Sequence, residues 1–275
     1  MEALTYGSAM TSTWRTDRPA PRAEAGIAAE LDRAVGYPYA TPAGSYVVDA
    51  GTGGVEPLPP AAVPAWARDR HAVLAVGSNG APEQLVRKFG ATPGERRIVV
   101  LAATVREHDV AYAARVAHYG AIPATLAPSP GTAAAVKLTL LTDDQLARMN
   151  ETEGLGRSYV LSDIDPAAVD VGGAAVPGPA RVRHYAAISG PLALGAPVAL
   201  SAVAATGRRW PARSEAEVLG DLAAALGSDV ATFVRRVVRD LAFRAEVNAA
   251  LPAGVPPPAP PDAGAGPPVR QHGRL

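Results

Sequence analysis

The chain contains no cysteine. That absence removes disulfides, thiolate zinc sites, iron–sulfur ligation and a cysteine nucleophile together, and it fits a reducing cytosol. A charge surplus is missing too, because 26 Lys and Arg balance 26 Asp and Glu at a formal net charge of zero. No global field favours nucleic acid or an anionic membrane, so a small-molecule partner is expected. No apolar run approaches the length of a bilayer span. Residues 1–13 show no basic segment leading into an apolar one, so a signal peptide is not expected and a cytoplasmic location is. Familiar catalytic signatures are absent as well. There is no Gly-x-Ser-x-Gly elbow, which disfavours a serine hydrolase. His71, His108, His118 and His184 share no metal-ligand spacing and read as surface or packing residues. Gly51-Thr52-Gly53-Gly54 is too short for a dinucleotide fingerprint and is followed by Pro57 to Pro60 instead of a helix.

What is present suits a small α+β domain. The 275 residues are 48% hydrophobic, enough for a real core in one domain with extensions or in two small ones. Residues 1–68 are rich in Pro, Gly, Ala and Thr and read as an N-terminal extension, with a short helix at Ala23 to Val35 and a strand near Ser45 to Val48. Residues 69–205 form the expected main domain, 206–250 a helical appendage, and 251–275 a disordered tail carrying the polyproline-type run 255–261. The main domain is dominated by β-type runs at 72–76, 97–103, 110–116, 121–126, 133–141, 159–163, 180–189 and 197–203. Connections such as Pro128-Ser129-Pro130-Gly131 and Val171-Gly172-Gly173 are turns too short for helical crossovers. A largely antiparallel, β-barrel-like sheet is therefore expected, and a Rossmann layout is not.

One helix inside this pattern is well delimited. Thr142 with Gln145 forms a capping-box pair, Asp143 and Asp144 suit the N-terminal dipole, and Gly154 supplies a stop, which places it at about 143–153. Two C-terminal helices follow: one opens at Ser214-x-x-Glu217 and ends at Gly227, and a second covers 228–247 with an apolar stripe opposite Arg235, Arg236 and Arg239.

Helical spacing puts Glu153 on the side of Leu146 and Met149, so its carboxylate faces inward, whereas Glu151 is solvated. Desolvation favours the neutral form of such a group, which lets it take and give a proton near neutral pH. The same residue is also explained by a structural pair with Arg106, Arg157 or Arg183. A second feature is the buried run 72–76 entering Gly77-Ser78-Asn79-Gly80 ahead of a helix that starts at Ala81 or Pro82. Successive backbone N–H groups in such a bend converge on an anion, with Gly77 and Gly80 permitting close approach and positive φ. An ordinary strand-to-helix turn has the same sequence.

Order and spacing connect the two features. The run Val73-Leu74-Ala75-Val76-Gly77-Ser78-Asn79 resembles the opening strand and Tyr-Gly-Ser-Asn loop of the γ-glutamylcyclotransferase family. Residues 118–131, with Pro128-Ser129-Pro130-Gly131, resemble the segment leading to its catalytic strand and helix. Lys137 to Leu141, Asp144 to Gly154 and Tyr159 resemble the family's block of strand, helix, Leu-Asp-x-x-Glu-Gly and Tyr. The likeness covers residues 70–190. Two departures stand out: Val76 replaces the loop tyrosine and Met149-Asn150 replaces Leu-Asp.

The resemblance implies an enzyme, without cofactor or metal, that cleaves a γ-glutamyl amide by attack of the substrate's own α-amine and releases 5-oxoproline and a free amine. It implies Glu153 as the proton-transferring residue and Val76, Gly77, Ser78, Asn79, Gly80 and Tyr159 as substrate-binding positions. The alternative is a cyclotransferase-like domain without turnover, serving as a ligand-binding or protein-interaction module. Neither reading fixes an oligomeric state.

Overall fold

A computed structural model describes residues 22–172 and 181–254 of the chain. The expected tail from 255 onward with its run at 255–261, Gly173 of the expected 171–173 turn, Ala180 of the expected 180–189 run, and residues 1–21 lie outside the described residues. The chain begins with helix α1 (Arg22–Val35), followed by strands β1 (Tyr46–Asp49) and β2 (Val55–Pro57) and a short helix α2 (Val63–Ala67). Next come β3 (His71–Ala75), α3 (Pro82–Phe89), the two long strands β4 (Arg97–Tyr112) and β5 (Ala124–Leu141), and α4 (Asp143–Glu153). Strands β6 (Tyr159–Ile164), β7 (Val169–Asp170), β8 (Val182–Ala187), β9 (Ala199–Leu200), β10 (Ala205–Thr206) and β11 (Ala212–Arg213) complete the sheet. Helices α5 (Glu215–Ala225), α6 (Val230–Arg239) and α7 (Leu241–Ala250) follow it.

The strands form one mixed, mostly antiparallel sheet ordered β11-β9-β4-β5-β3-β8-β6, and among the described residues only β3 with β8 and β9 with β11 run parallel. Among the described residues the sheet stays open and does not close into the expected barrel-like form. Strand β4 divides the edge facing away from β5 among three short partners, β1, β7 and β9, so no single strand continues the ladder round to β6. The first part of the chain is woven into this framework: β1 pairs with residues 97–100 of β4, and α1 packs on α5 and α6.

The four runs expected at 97–103, 110–116, 121–126 and 133–141 are not separate strands, because β4 and β5 form one long hairpin. Pro128 still pairs with His108, and Ala133 with Arg106, so residues 129–132 bulge opposite Glu107. Prolines cannot donate to a ladder, which favours a bulge at this point. Glu107 and Gly131 take positive φ of 61° and 81°, and the Glu107 carboxylate accepts from the Gly131 N–H at 3.1 Å.

Both helices with sequence caps form as expected. Thr142 with Gln145 caps α4, which stops at Gly154 in the left-handed conformation, and Ser214 with Glu217 caps α5. The helix expected over 228–247 is two. Asp240 is extended (φ −113°, ψ 102°), and its carboxylate accepts from the Phe243 N–H at 2.9 Å, capping α7.

Side-chain alternation along β3 divides the core. Ala72 and Leu74 join the cluster covered by α5, α6 and α7, whereas Val73 joins Leu85, Phe89, Leu146 and Met149 beneath α3 and α4. Helices α3 and α4 pack against each other, so their C-terminal ends meet beside the loop that leaves β3.

Candidate active site

The loop is built from close approach. Residues 78–80 form a single 3-10 turn, and Pro82 opens α3 with its fixed φ. The first amides of such a turn have no partner within it, so they are free to donate outward. A β-carbon on Gly77 would overlap the Tyr37 hydroxyl and lie 3.2 Å from the Ala124 β-carbon, so only glycine fits. The expected positive φ is not used: Gly77 sits at φ −123°, ψ −130°, and Gly80 is not among the positive-φ glycines. Gly80 faces away from the loop's open side. A β-carbon there would meet the Lys137 γ-carbon at 2.8 Å, and its carbonyl accepts from the Tyr46 hydroxyl.

Glu153 is the last residue of α4, and its carboxylate meets the ammonium of Lys88 at the end of α3. The pair is largely withdrawn from solvent, with side chains 13% and 7% exposed respectively. Lys88 also donates to Asn79 Oδ1 at 2.7 Å and approaches Met149 Sδ at 3.4 Å. It therefore ties the loop to the carboxylate. The structural partner expected among Arg106, Arg157 and Arg183 is none of these, because the α3–α4 packing delivers a lysine first. Glu151 behaves as expected of a solvated residue, pairing at the surface with Arg148 at 3.0 Å.

A cavity of about 290 Å³ joins these parts. Val76, Gly77, Ser78, Asn79, Glu153 and Tyr159 all line it; Gly80 does not. Four of the chain's eight tyrosines, Tyr37, Tyr119, Tyr159 and Tyr185, also reach it. In a chain only 5% aromatic, that gathering marks the wall as specialised. Tyr159 and Tyr185 meet edge to face at 6.4 Å, and Tyr185 donates to Asn150 Oδ1 at 2.6 Å. Burial first, and for Tyr119, Tyr159 and Tyr185 also the nearby Glu153 charge, raises these phenols above their ordinary pKa. Tyr37 is raised by burial and by Tyr119 and Tyr159. All four remain neutral hydroxyl groups at physiological pH.

Tyr37 and Lys88 are the residues that sequence reasoning missed. Val76 offers no hydroxyl, and the phenol that touches the loop comes from Tyr37, just beyond α1. Its oxygen accepts from the Ala124 N–H at 2.7 Å, which leaves its own proton for a partner in the cavity. Lys88 left a signal: it shares the buried face of α3 with Gln84, Leu85 and Phe89, where a lysine requires a counter-charge. Among the described residues, no three His, Asp or Glu side chains are gathered so as to hold a metal ion. No helix there is long and apolar enough to cross a membrane.

No family model matches the chain, and no curated protein does. Among solved structures, an Arabidopsis thaliana protein determined in solution is 19% identical with a TM-score of 0.32, over 44% of this chain and 70% of its own. An uncharacterized Homo sapiens protein is 12% identical with a TM-score of 0.34, over 68% and 90%. A gamma-glutamyl cyclotransferase is 12% identical with a TM-score of 0.31, over 67% and 89%. Likeness at this level says nothing of activity, which has to be read from the cavity's own side chains.

Proposed function

We propose that the cavity is the active site of a γ-glutamylcyclotransferase-type enzyme, with Glu153 as its proton relay and the 77–79 loop as its substrate cradle. One observation carries the reading: Lys88 bridges Asn79 of the loop and Glu153 of α4 on the wall of a single cavity. At about 290 Å³ the space is at the small end of ligand pockets, which suits a substrate of dipeptide size.

In this mechanism the substrate's α-carboxylate lies against the loop amides and Ser78, and its α-ammonium approaches Glu153. Glu153 takes a proton from the ammonium, and the freed amine attacks the γ-carbonyl carbon. The new C–N bond closes the five-membered ring while the carbonyl oxygen gains charge, which neutral donors such as Tyr37 stabilise. The bond to the departing nitrogen then breaks. The two protons that leave the ammonium during the reaction end on that nitrogen, so atoms and charge balance without water or cofactor. Holding the chain folded for ring closure is worth about 7–11 kcal/mol of barrier, which explains why so few polar groups suffice. Tyr159 lines the same cavity as Glu153 and orients substrate.

The test is Glu153→Gln, which keeps shape and removes the base. Incubation with γ-glutamyl dipeptides, read by mass spectrometry of 5-oxoproline, should show a loss of at least about 100-fold. Product formed at the original rate refutes the assignment. The Lys88 pair favours one second reading, a binding module whose carboxylate is held by the protein itself. In that case the unaltered chain binds γ-glutamyl compounds and forms no 5-oxoproline.

A further inference from the structure

The cavity gathers more positive charge than its proposed chemistry uses. Lys88 is matched by Glu153, and Glu151 at the rim is matched by Arg148. Three more arginines line the same space: Arg33 from α1, Arg115 from the loop after β4, and Arg157 beyond α4. Among the described residues no carboxylate pairs with any of them. In a chain of zero net charge, cations collected without counter-charges repel one another, and the cost is recovered when an anion arrives.

Two of the three are held ready. The Arg33 guanidinium carbon lies 4.6 Å from the centroid of the Tyr119 ring, and that of Arg115 lies 5.7 Å from the Tyr159 ring. Each ring restrains its guanidinium, and Arg115 is also hydrogen-bonded to the Tyr159 hydroxyl, while the remaining N–H groups of both can receive a carboxylate. The Arg33 Nε is buried and has no hydrogen-bond partner among the described residues. A buried donor left without a partner costs free energy. His118 lies in the same group; burial first, then Arg33, Arg244 and Arg115, holds its imidazole below the ordinary pKa, so it adds hydrogen bonding and no charge.

This step rests on the cyclotransferase reading above. The γ-glutamyl half brings one carboxylate and one ammonium, which the loop and Glu153 receive and which cancel. Arg33 and Arg115, which no described carboxylate pairs with, therefore remain for the other half of the substrate. We infer that the amine released is an acidic amino acid, with its two carboxylates received by Arg33 and Arg115 and with Arg157 at the mouth adding attraction.

The test compares γ-Glu-Glu, γ-Glu-Ala and γ-Glu-Lys with the full chain. The acidic dipeptide should show kcat/KM at least about tenfold above the alanine compound, with the lysine compound lowest, and the preference should shrink as salt is raised. Replacing both arginines, R33Q with R115Q, should bring the Glu-to-Ala ratio below about threefold, mainly through KM for γ-Glu-Glu. Equal processing of γ-Glu-Ala and γ-Glu-Glu by the unaltered chain overturns the inference without any variant. So does an undiminished preference in a folded double variant. If none of the three yields 5-oxoproline, the cyclisation reading has failed and calorimetric binding of the same three compounds decides this one. Tighter binding of γ-Glu-Glu supports it; equal or undetectable binding overturns it.

Discussion

The Lys88 ammonium pairs with the Glu153 carboxylate and donates at the same time to the Asn79 side chain at 2.7 Å. One lysine thus fixes the end of α4 against the loop that leaves β3. Removing it strands a carboxylate that is 13% exposed. Lys88→Met should lower stability by about 3 kcal/mol, at the lower end of the cost for a broken buried pair because Glu153 borders an open cavity. Adding Glu153→Gln to that variant should recover a large part of the loss, since the stranded charge is then gone. Urea unfolding of the two single variants and the double variant measures this. Additive losses would show that the two groups do not act as a pair.

Gly77 and Tyr37 form a second coupled pair. Gly77→Ala should destabilise by about 1–3 kcal/mol, because its methyl group overlaps the Tyr37 hydroxyl and presses on the Ala124 side chain. Tyr37→Phe removes the oxygen but leaves the buried Ala124 N–H without its acceptor, at about 1–2 kcal/mol. The double variant should lose less than the sum of the two, since the overlap needs the oxygen. A strictly additive cycle by denaturant unfolding contradicts the described contact.

The two halves of this site differ in how far they could be read from sequence. Helix α4 was legible because its signals are local: Thr142, Gln145 and Gly154 act within a few residues of each other, and spacing alone sets Glu153 in line with Met149. The bend at 77–79 was legible for the same reason. Lys88 and Tyr37 were not, since their roles depend on α3 meeting α4 and on α1 delivering Tyr37 to a loop 40 residues later in the chain. The hairpin of β4 and β5 was hidden for a physical reason as well. Two prolines and a glycine within 128–131 carry turn chemistry, and a long ladder can absorb such a stretch as a bulge when pairing resumes beyond it. Asp240 shows the converse, a cap hidden inside a continuous apolar stripe.

The Tyr37 hydroxyl should matter to turnover as well as to packing. Its oxygen already accepts from the Ala124 N–H, so the proton it has left is the one a bound carbonyl or carboxylate would receive. Tyr37→Phe should reduce kcat/KM for a γ-glutamyl dipeptide by about tenfold or more, as loss of one transition-state donor does. If kcat falls with KM little changed, the hydroxyl acts on the developing charge; if only KM rises, it binds the ground state. No change in either constant, measured on folded protein, would show that the phenol only packs.

Glu215 supplies a pH dependence with a definite sign. It opens α5 with 3% exposure; its Oε1 accepts from the Ile122 N–H at 2.7 Å, and its Oε2 is buried with no hydrogen-bond partner among the described residues. Burial raises its pKa well above the ordinary 4.5, and the Ile122 N–H opposes this only in part. The folded chain therefore keeps a proton that the unfolded chain releases above about pH 4.5. The stability linked to that proton is fully present below the unfolded value and is lost as pH rises through the folded one. Glu215→Gln keeps the oxygen facing Ile122 and has no proton to lose. The variant should match the unaltered protein near pH 4 and exceed it by about 1 kcal/mol or more at pH 8, since a tenfold difference in proton affinity between the folded and unfolded chain corresponds to about 1.4 kcal/mol. Thermal or urea unfolding across that range measures the difference, and a gap that stays constant with pH would show that the carboxyl is already ionised in the fold. The outcome bears on the cavity too, because Ile122 anchors the segment that carries Arg115 and Tyr119.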